Sequence, residues 1–183
     1  MILILDMNHK TNSLGFDEFV TPIIRIVSSL DECEAKHYSE LRQRDLAKYD
    51  KIILSGTPLR DNAFRDDTDC FMWLRKYNKP VLGISAGMQI IGLVFGCSLM
   101  RCKEIGMTRV ITRKENKLFS GEFEAYELHT SSIKPCSEFE ILADSARCVQ
   151  AVKHKDKEVY GILFHPEVRN NGVVKNFVKL KTK

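Results

Sequence analysis

Residues 79–89 read Lys79-Pro-Val-Leu-Gly-Ile-Ser85-Ala-Gly-Met-Gln89, and this stretch decides the fold. Val81 to Ile84 form a short apolar run, the pattern of a strand buried on both faces. From Ala86 to Phe95 the chain is apolar almost all round, as a buried helix is. Gly83 and Gly87 allow close backbone approach where strand turns into helix. Ser85 therefore stands on the junction, above the carboxyl edge of a sheet, where doubly wound folds place their ligands. It also stands at a helix N-terminus, whose free N–H groups and dipole favour a developing anion.

Working outward, similar apolar runs recur as I-L-I-L (2–5), K-I-I-L-S (51–55) and V-Y-G-I-L-F (159–164), each bounded by turn residues. Helices are expected between them at about 39–48, 63–77 and 86–95. Strands alternating with helices predict an α/β fold with helices on both sides of a mostly parallel sheet. Between 98 and 153 the pattern changes to short alternating segments, such as 107–113, 123–128, 140–143 and 149–153. These predict a meander or mixed extension of the sheet, with helix returning near 172–180. Neither a repeat nor a linker divides the chain, and 183 residues suit one domain spanning 1–183.

Composition narrows the classes further. A chain 44% hydrophobic and 28% charged has the makings of a packed core, which excludes a disordered or collagen-like protein. The net charge of +4 gathers only in the terminal run K-N-F-V-K-L-K-T-K, read as the solvated end of a last helix. No aromatic-interleaved basic stripe signals nucleic-acid binding. Six cysteines are scattered without a C-x-x-C pair or zinc-type histidine spacing, so no metal, cofactor or disulfide framework is expected. Reduced thiols point to the cytoplasm. The N-terminal apolar run ends at Asp6, too soon for a membrane span or signal core.

A partner for Ser85 should come from another strand end, and His165-Pro166-Glu167 follows the run at 159–164. Pro166 keeps His165 extended. Residues two apart then point the same way, so Glu167 can orient the His165 imidazole. A nucleophile position, a base and an orienting acid complete the general triad logic.

Carrying these residues, the chain resembles the class I, triad-type glutamine amidotransferases over nearly its whole length. The match rests on I-L-D (4–6), I-I-L-S-G-T-P (52–58), P-V-L-G-I-S-A-G-M-Q (80–89), K-E-N-K-L-F (114–119), F-E-I-L-A (139–143) and Y-G-I-L-F-H-P-E-V (160–168). It looks most like the branch that forms separate glutaminase subunits of archaeal-type GMP synthases. The resemblance implies a three-layer fold and hydrolysis of L-glutamine to glutamate and ammonia. His165 would be the base, Glu167 its orienter, and the Ser85 position the nucleophile. The N–H groups of Thr57 and Ala86 would hold the oxyanion, and Gly56, Gln89 and the backbone at Leu128 and His129 would hold glutamine. Without the resemblance, Gln89 reads as a partly exposed first-turn residue and His129 as a strand-end surface histidine. Since there is no G-x-x-x-x-G-K-[ST] loop, the ammonia would pass to a separate synthase subunit, of the ATP-pyrophosphatase type, that aminates XMP.

Three departures stand out. Thr57 replaces the second glycine of the family's S-G-G-P. L-H-T-S-S-I (128–133) replaces S-H-x-D-x-V, and the loop at 6–15 lacks D-x-G-x-Q. The elbow itself, G-[IV]-C-x-G-x-Q in the family, carries Ser85 at the cysteine. A serine hydroxyl is a far weaker acid than a thiol and must lose its proton during attack, so little glutaminase turnover is expected of the chain as it stands. One reading is a cysteine-to-serine replacement at an otherwise intact site. Another is an inactive glutamine-binding or interaction subunit, for which damage at His165, Glu167 or Gln89 would be expected. A third takes G-I-S-A-G (83–87) literally as a serine hydrolase or peptidase elbow.

Overall fold

The computed structural model describes residues 1–181. Nine strands form one mixed sheet: β1 (Ile2–Asp6), β2 (Cys33–His37), β3 (Lys51–Leu54), β4 (Val81–Ile84), β5 (Ser98–Thr112), β6 (Glu122–Lys134), β7 (Phe139–Asp144), β8 (Val149–His154) and β9 (Val159–Ile162). Their order is β2-β1-β3-β4-β9-β8-β7-β5-β6. The first five of that order are parallel, and the remaining pairings are antiparallel. The α/β fold with a parallel centre and a mixed extension is therefore as expected. The extension curls, and Ser132 Oγ on β6 donates to the Val149 carbonyl of β8 at 3.0 Å although the two strands are not neighbours.

Alternation along the central strands builds the layers. Leu3, Leu5, Ile52, Leu54 and Val81 enter one core, packed against helix α2 (Ala86–Val94) through Met88, Ile90 and Ile91. Ile2, Ile4, Ile53, Leu82 and Ile84 enter the other, under helices α1 (Thr21–Ser28) and α3 (Gly172–Val178). Helices thus cover both faces of the parallel strands. The basic C-terminal run begins inside α3, and its residues 182–183 lie outside the described part.

Two expected α-helices take another form. Residues 39–48 contain 3₁₀ turns at Tyr38–Glu40 and Gln43–Lys48, separated by an extended Leu41. Residues 63–77 contain 3₁₀ turns at Ala63–Arg65 and Thr68–Arg75. In the second stretch Phe71, Leu74 and Tyr77 are all buried. Trp73 is buried beside them, so the burial pattern alone does not separate a 3₁₀ turn from an α-helix. Two elements escaped the pattern altogether: β2, an edge strand whose sequence C-E-A-K-H is mostly half-exposed, and α1, entered through a π-turn at Phe16–Val20. The β5–β6 hairpin is also far longer than the short segments expected, and a register shift between Arg101 and Glu104 interrupts it.

Candidate active site

The carboxyl ends of β3, β4 and β9 bring the central residues together. Leu54 pairs with Gly83 and Ile84 with Ile162, so Gly56, Ser85 and His165 all emerge just beyond the paired strands. Ser85 adopts φ 50° and ψ −102°, one of three non-glycine residues with positive φ among those described. A side chain there strains the backbone by about 1–3 kcal/mol, and such strain clusters at functional sites. The turn is tied on both sides: Ser85 N–H donates to the Ile162 carbonyl at 2.8 Å, and Gln89 N–H to the Ser85 carbonyl at 3.1 Å. Close glycines make this turn possible. A Cβ on Gly83 would lie 2.4 Å from the Gly87 carbonyl, and one on Gly87 would lie 2.6 Å from the Leu54 oxygen.

His165 and Glu167 meet, but across a turn rather than an extended segment: residues 166–168 turn, and Val168 N–H donates to the His165 carbonyl at 3.2 Å. The imidazole Nδ1 and Glu167 Oε1 are 2.7 Å apart, and both side chains are fully buried. Glu167 thereby favours the tautomer that carries its proton on Nδ1 and leaves the Nε2 lone pair free. Nε2 is buried without a hydrogen-bond partner. Tyr126 of β6 anchors the histidine by accepting its backbone N–H at 2.8 Å. Gly56 makes room for the ring, because a Cβ there would come within 2.6 Å of His165 Cε1.

Thr57, Ser85, Ala86, Gln89, Leu128 and His129 line one common cleft, whose lining includes neither His165 nor Glu167. Thr57 does not need the conformational freedom of the glycine it replaces, since its φ is not positive. Its hydroxyl donates to the Asp61 carbonyl at 2.9 Å. The Thr57 N–H has no acceptor among the described residues, and the N–H groups of the first helical turn at Ala86 have no intrahelical acceptor. Gln89 is buried rather than partly exposed, with Nε2 donating to the Ser131 carbonyl at 3.0 Å. His129 is buried within β6, not at a strand end on the surface.

One cleft residue gave no sequence signal. Arg65 sits in F-R-D-D, which reads as an ordinary charged surface stretch. In the fold its guanidinium lines the cleft, and Nη2 donates to Gln89 Oε1 at 2.7 Å. Its Nε is buried and unpartnered, and the side chain has no ion pair among the described residues. Burial lowers its pKa from the usual arginine value. An unpaired, partly desolvated cation in a cleft is a site for an anionic group.

Strand-to-helix elbow, buried histidine–carboxylate pair and cleft lie at the carboxyl edge of one α/β sheet, the arrangement of an α/β amidotransferase-type fold. The chain belongs to the class-I glutamine amidotransferases, whose family model matches residues 16–181. Among its relatives is the glutamine-hydrolyzing GMP synthase subunit of Methanocaldococcus jannaschii, 41% identical over 140 residues that cover 70% of this chain and 72% of that protein. The corresponding subunit of Methanobrevibacter smithii is 31% identical and is matched across 94% of this chain and 90% of its own length. A solved structure from Thermoplasma acidophilum, described as a GMP synthase subunit of the same kind, superposes with a TM-score of 0.85 at 26% identity, covering 97% of this chain and 91% of that one. A glutamine amidotransferase from Thermotoga maritima shares the fold, with a TM-score of 0.71 at 21% identity over 97% of this chain and 80% of that one.

Proposed function

We propose that the chain is the glutaminase subunit of a two-subunit, GMP synthase-like enzyme, with its nucleophile position occupied by serine. The observation that carries this reading is the strained Ser85 elbow beside a buried His165–Glu167 pair whose Nε2 is free. In the cysteine-bearing form of such a site, His165 Nε2 takes the thiol proton and the thiolate attacks the side-chain amide carbon of glutamine. The Thr57 and Ala86 N–H groups face the developing oxyanion. His165 then returns the proton to the leaving nitrogen, ammonia departs, and water attacks the thioester to release glutamate. Ser85 Oγ makes no hydrogen bond to His165 Nε2. A sulfur on its longer bond to Cβ would reach further toward that nitrogen, which favours a site shaped for cysteine.

Gln89, Gly56 and the backbone at Leu128 and His129 position glutamine, and we assign its α-carboxylate to Arg65. Arg65→Met, made in a Ser85→Cys chain, is expected to raise KM for glutamine about 10- to 100-fold, the worth of a hydrogen-bonded charge contact. Arg65→Lys should restore only part of that loss, because a lysine lacks the planar fork. Steady-state kinetics with glutamine at varied concentration checks both.

The whole assignment is tested by mixing the Ser85→Cys chain with an XMP-aminating synthase and following GMP formed from glutamine. Glutamine-dependent GMP formation, lost when either protein is withheld, supports the reading. Labelling of the unaltered chain at Ser85 by a fluorophosphonate, with no glutaminase activity in the cysteine form, would overturn it in favour of a serine hydrolase. The separate synthase partner, the acceptor XMP and a cytoplasmic setting come to this chain only through this proposal. Among the described residues no helix is long and apolar enough to cross a membrane.

A further inference from the structure

On the β5–β6 hairpin lies a cluster of side chains that the proposed amidotransferase steps do not use, although the His129 backbone borders the cleft. Glu104, Glu127 and His129 are 6%, 0% and 2% exposed, and one ligand-type atom from each lies within 4.8 Å of the others. His129 Nε2 is 3.1 Å from Glu127 Oε2 and 3.3 Å from Glu104 Oε2. Neither contact has hydrogen-bond geometry, so Nε2 is left without a partner, as are both oxygens of Glu127. The two carboxylates lie within ion-pair reach of the imidazole, but buried charge without hydrogen-bond geometry recovers little of its desolvation cost. Native folds therefore leave such groups only where something else satisfies them.

We propose that these three side chains bind one divalent transition-metal ion of the zinc class. Zinc bonds of about 2.0–2.1 Å hold tetrahedral ligand atoms about 3.3–3.4 Å apart, and six-coordinate ions about 2.9–3.0 Å, which brackets the two separations observed. The other ring nitrogen is already oriented for ligation. His129 Nδ1 lies 3.0 Å from the Cys102 carbonyl, the outer-shell contact that fixes a ligating imidazole with Nε2 free. Outer support continues at Glu104, whose Oε1 accepts from Ser145 Oγ at 2.9 Å and whose Oε2 accepts from Gln150 Nε2 at 2.7 Å. Charge also closes, because two carboxylates and a neutral imidazole offset a dication. Any proton on Nε2 leaves to solvent as the metal enters.

Cys148 lies beside this site but outside its three ligands. Its Sγ is 3.3 Å from Glu104 Oε2, and Cys102, Glu104 and Cys148 form a second group with ligand atoms within 4.8 Å. An imidazole nitrogen among the donors selects zinc or cobalt over magnesium, which prefers oxygen and retains its waters. Glu104 also borders an open surface hollow, which Lys103, Arg109 and Arg147 line as well. Metal here would pin β5 to β6 beside Leu128 and Thr130, which line the cleft.

The test uses the full chain, stripped with chelator and titrated with Zn2+, Co2+ or Mg2+ alone. One equivalent of Zn2+ or Co2+ retained through gel filtration is expected, with no retention of Mg2+. Glu127→Gln should weaken that binding at least about 100-fold, the upper end of what loss of a mere outer-shell group costs. The competing trap is the thiol pair Cys97 and Cys136, whose sulfurs lie 2.6 Å apart. A Cys97→Ser, Cys136→Ser chain must therefore bind as the parent does. X-ray absorption on the zinc-loaded parent gives a reading that does not depend on whether any variant folds: an oxygen- and nitrogen-rich shell with one imidazole supports the site. Substoichiometric uptake, a sulfur-only shell or unchanged binding in Glu127→Gln overturns it.

Discussion

Replacing Ser85 with cysteine is expected to raise glutamate release from glutamine by at least about 10³-fold, and His165→Ala in that background should abolish the gain. The magnitude follows from how a nucleophile–base pair works. Groups that act as a unit lose nearly everything when one member fails, commonly about 10⁶ in kcat, while oxyanion donors and binding retain about 10³–10⁴ over water. On the function proposed above, His165 is the base and Glu167 its orienter, and the chain holds a hydroxyl where the family's thiol would stand. Serine enters the reaction protonated, whereas a thiol beside an imidazole at a helix N-terminus reaches the thiolate near neutrality. Glutamate should be assayed for the parent, Ser85→Cys and Ser85→Cys/His165→Ala under one condition. Equal activity in the first two would show that position 85 is not the nucleophile.

The second large effect concerns the elbow itself. Gly83→Ala is expected to destabilise the fold by about 3 kcal/mol, the upper part of the usual overpacking range. The new methyl would sit 2.4 Å from both carbonyl atoms of Gly87 and 2.6 Å from Ile91 Cδ1. Two of those three contacts are backbone, so no side-chain rotamer relieves them. Either β4 separates from α2, which opens the core around Met88 and Ile91, or the Ser85 turn relaxes from its strained dihedrals. For a chain of this size the cost corresponds to a fall of roughly 6–12 °C in Tm, readable by thermal unfolding followed by circular dichroism. A Gly172→Ala chain is the control, because a Cβ there meets nothing within 4 Å. If Gly83→Ala melts with the parent, close packing of β4 on α2 does not hold the elbow.

The two predictions separate what local sequence encodes from what it does not. Short apolar runs bounded by turn residues located β1, β3, β4 and β9, because strands buried on both faces require such runs and little else does. The Ser85 junction was legible for the same reason, since a strand-to-helix turn with two glycines is a local object. His165 and Glu167 were legible as near neighbours in sequence, but a turn at 166–168, not alternation along an extended segment, brings them together. Less of the periphery could be read. Residues 39–48 and 63–77 carry helical composition, yet both settle as 3₁₀ turns, and in the second Phe71, Trp73 and Leu74 are buried against the neighbouring layer. Edge strand β2 is half-exposed and charged, so its pattern says surface.

Sequence by itself determined the parallel centre, the elbow and the histidine–carboxylate pair, all of which depend on residues within a few positions of one another. Only the tertiary structure decided what Arg65 and Gln89 share, and which charges gather on the β5–β6 hairpin. Glu104 and Glu127 come from opposite strands of a hairpin whose register shift turns both inward beside His129. Contacts between residues 23 or 24 positions apart follow from strand pairing and curl, for which no local pattern carries a signal.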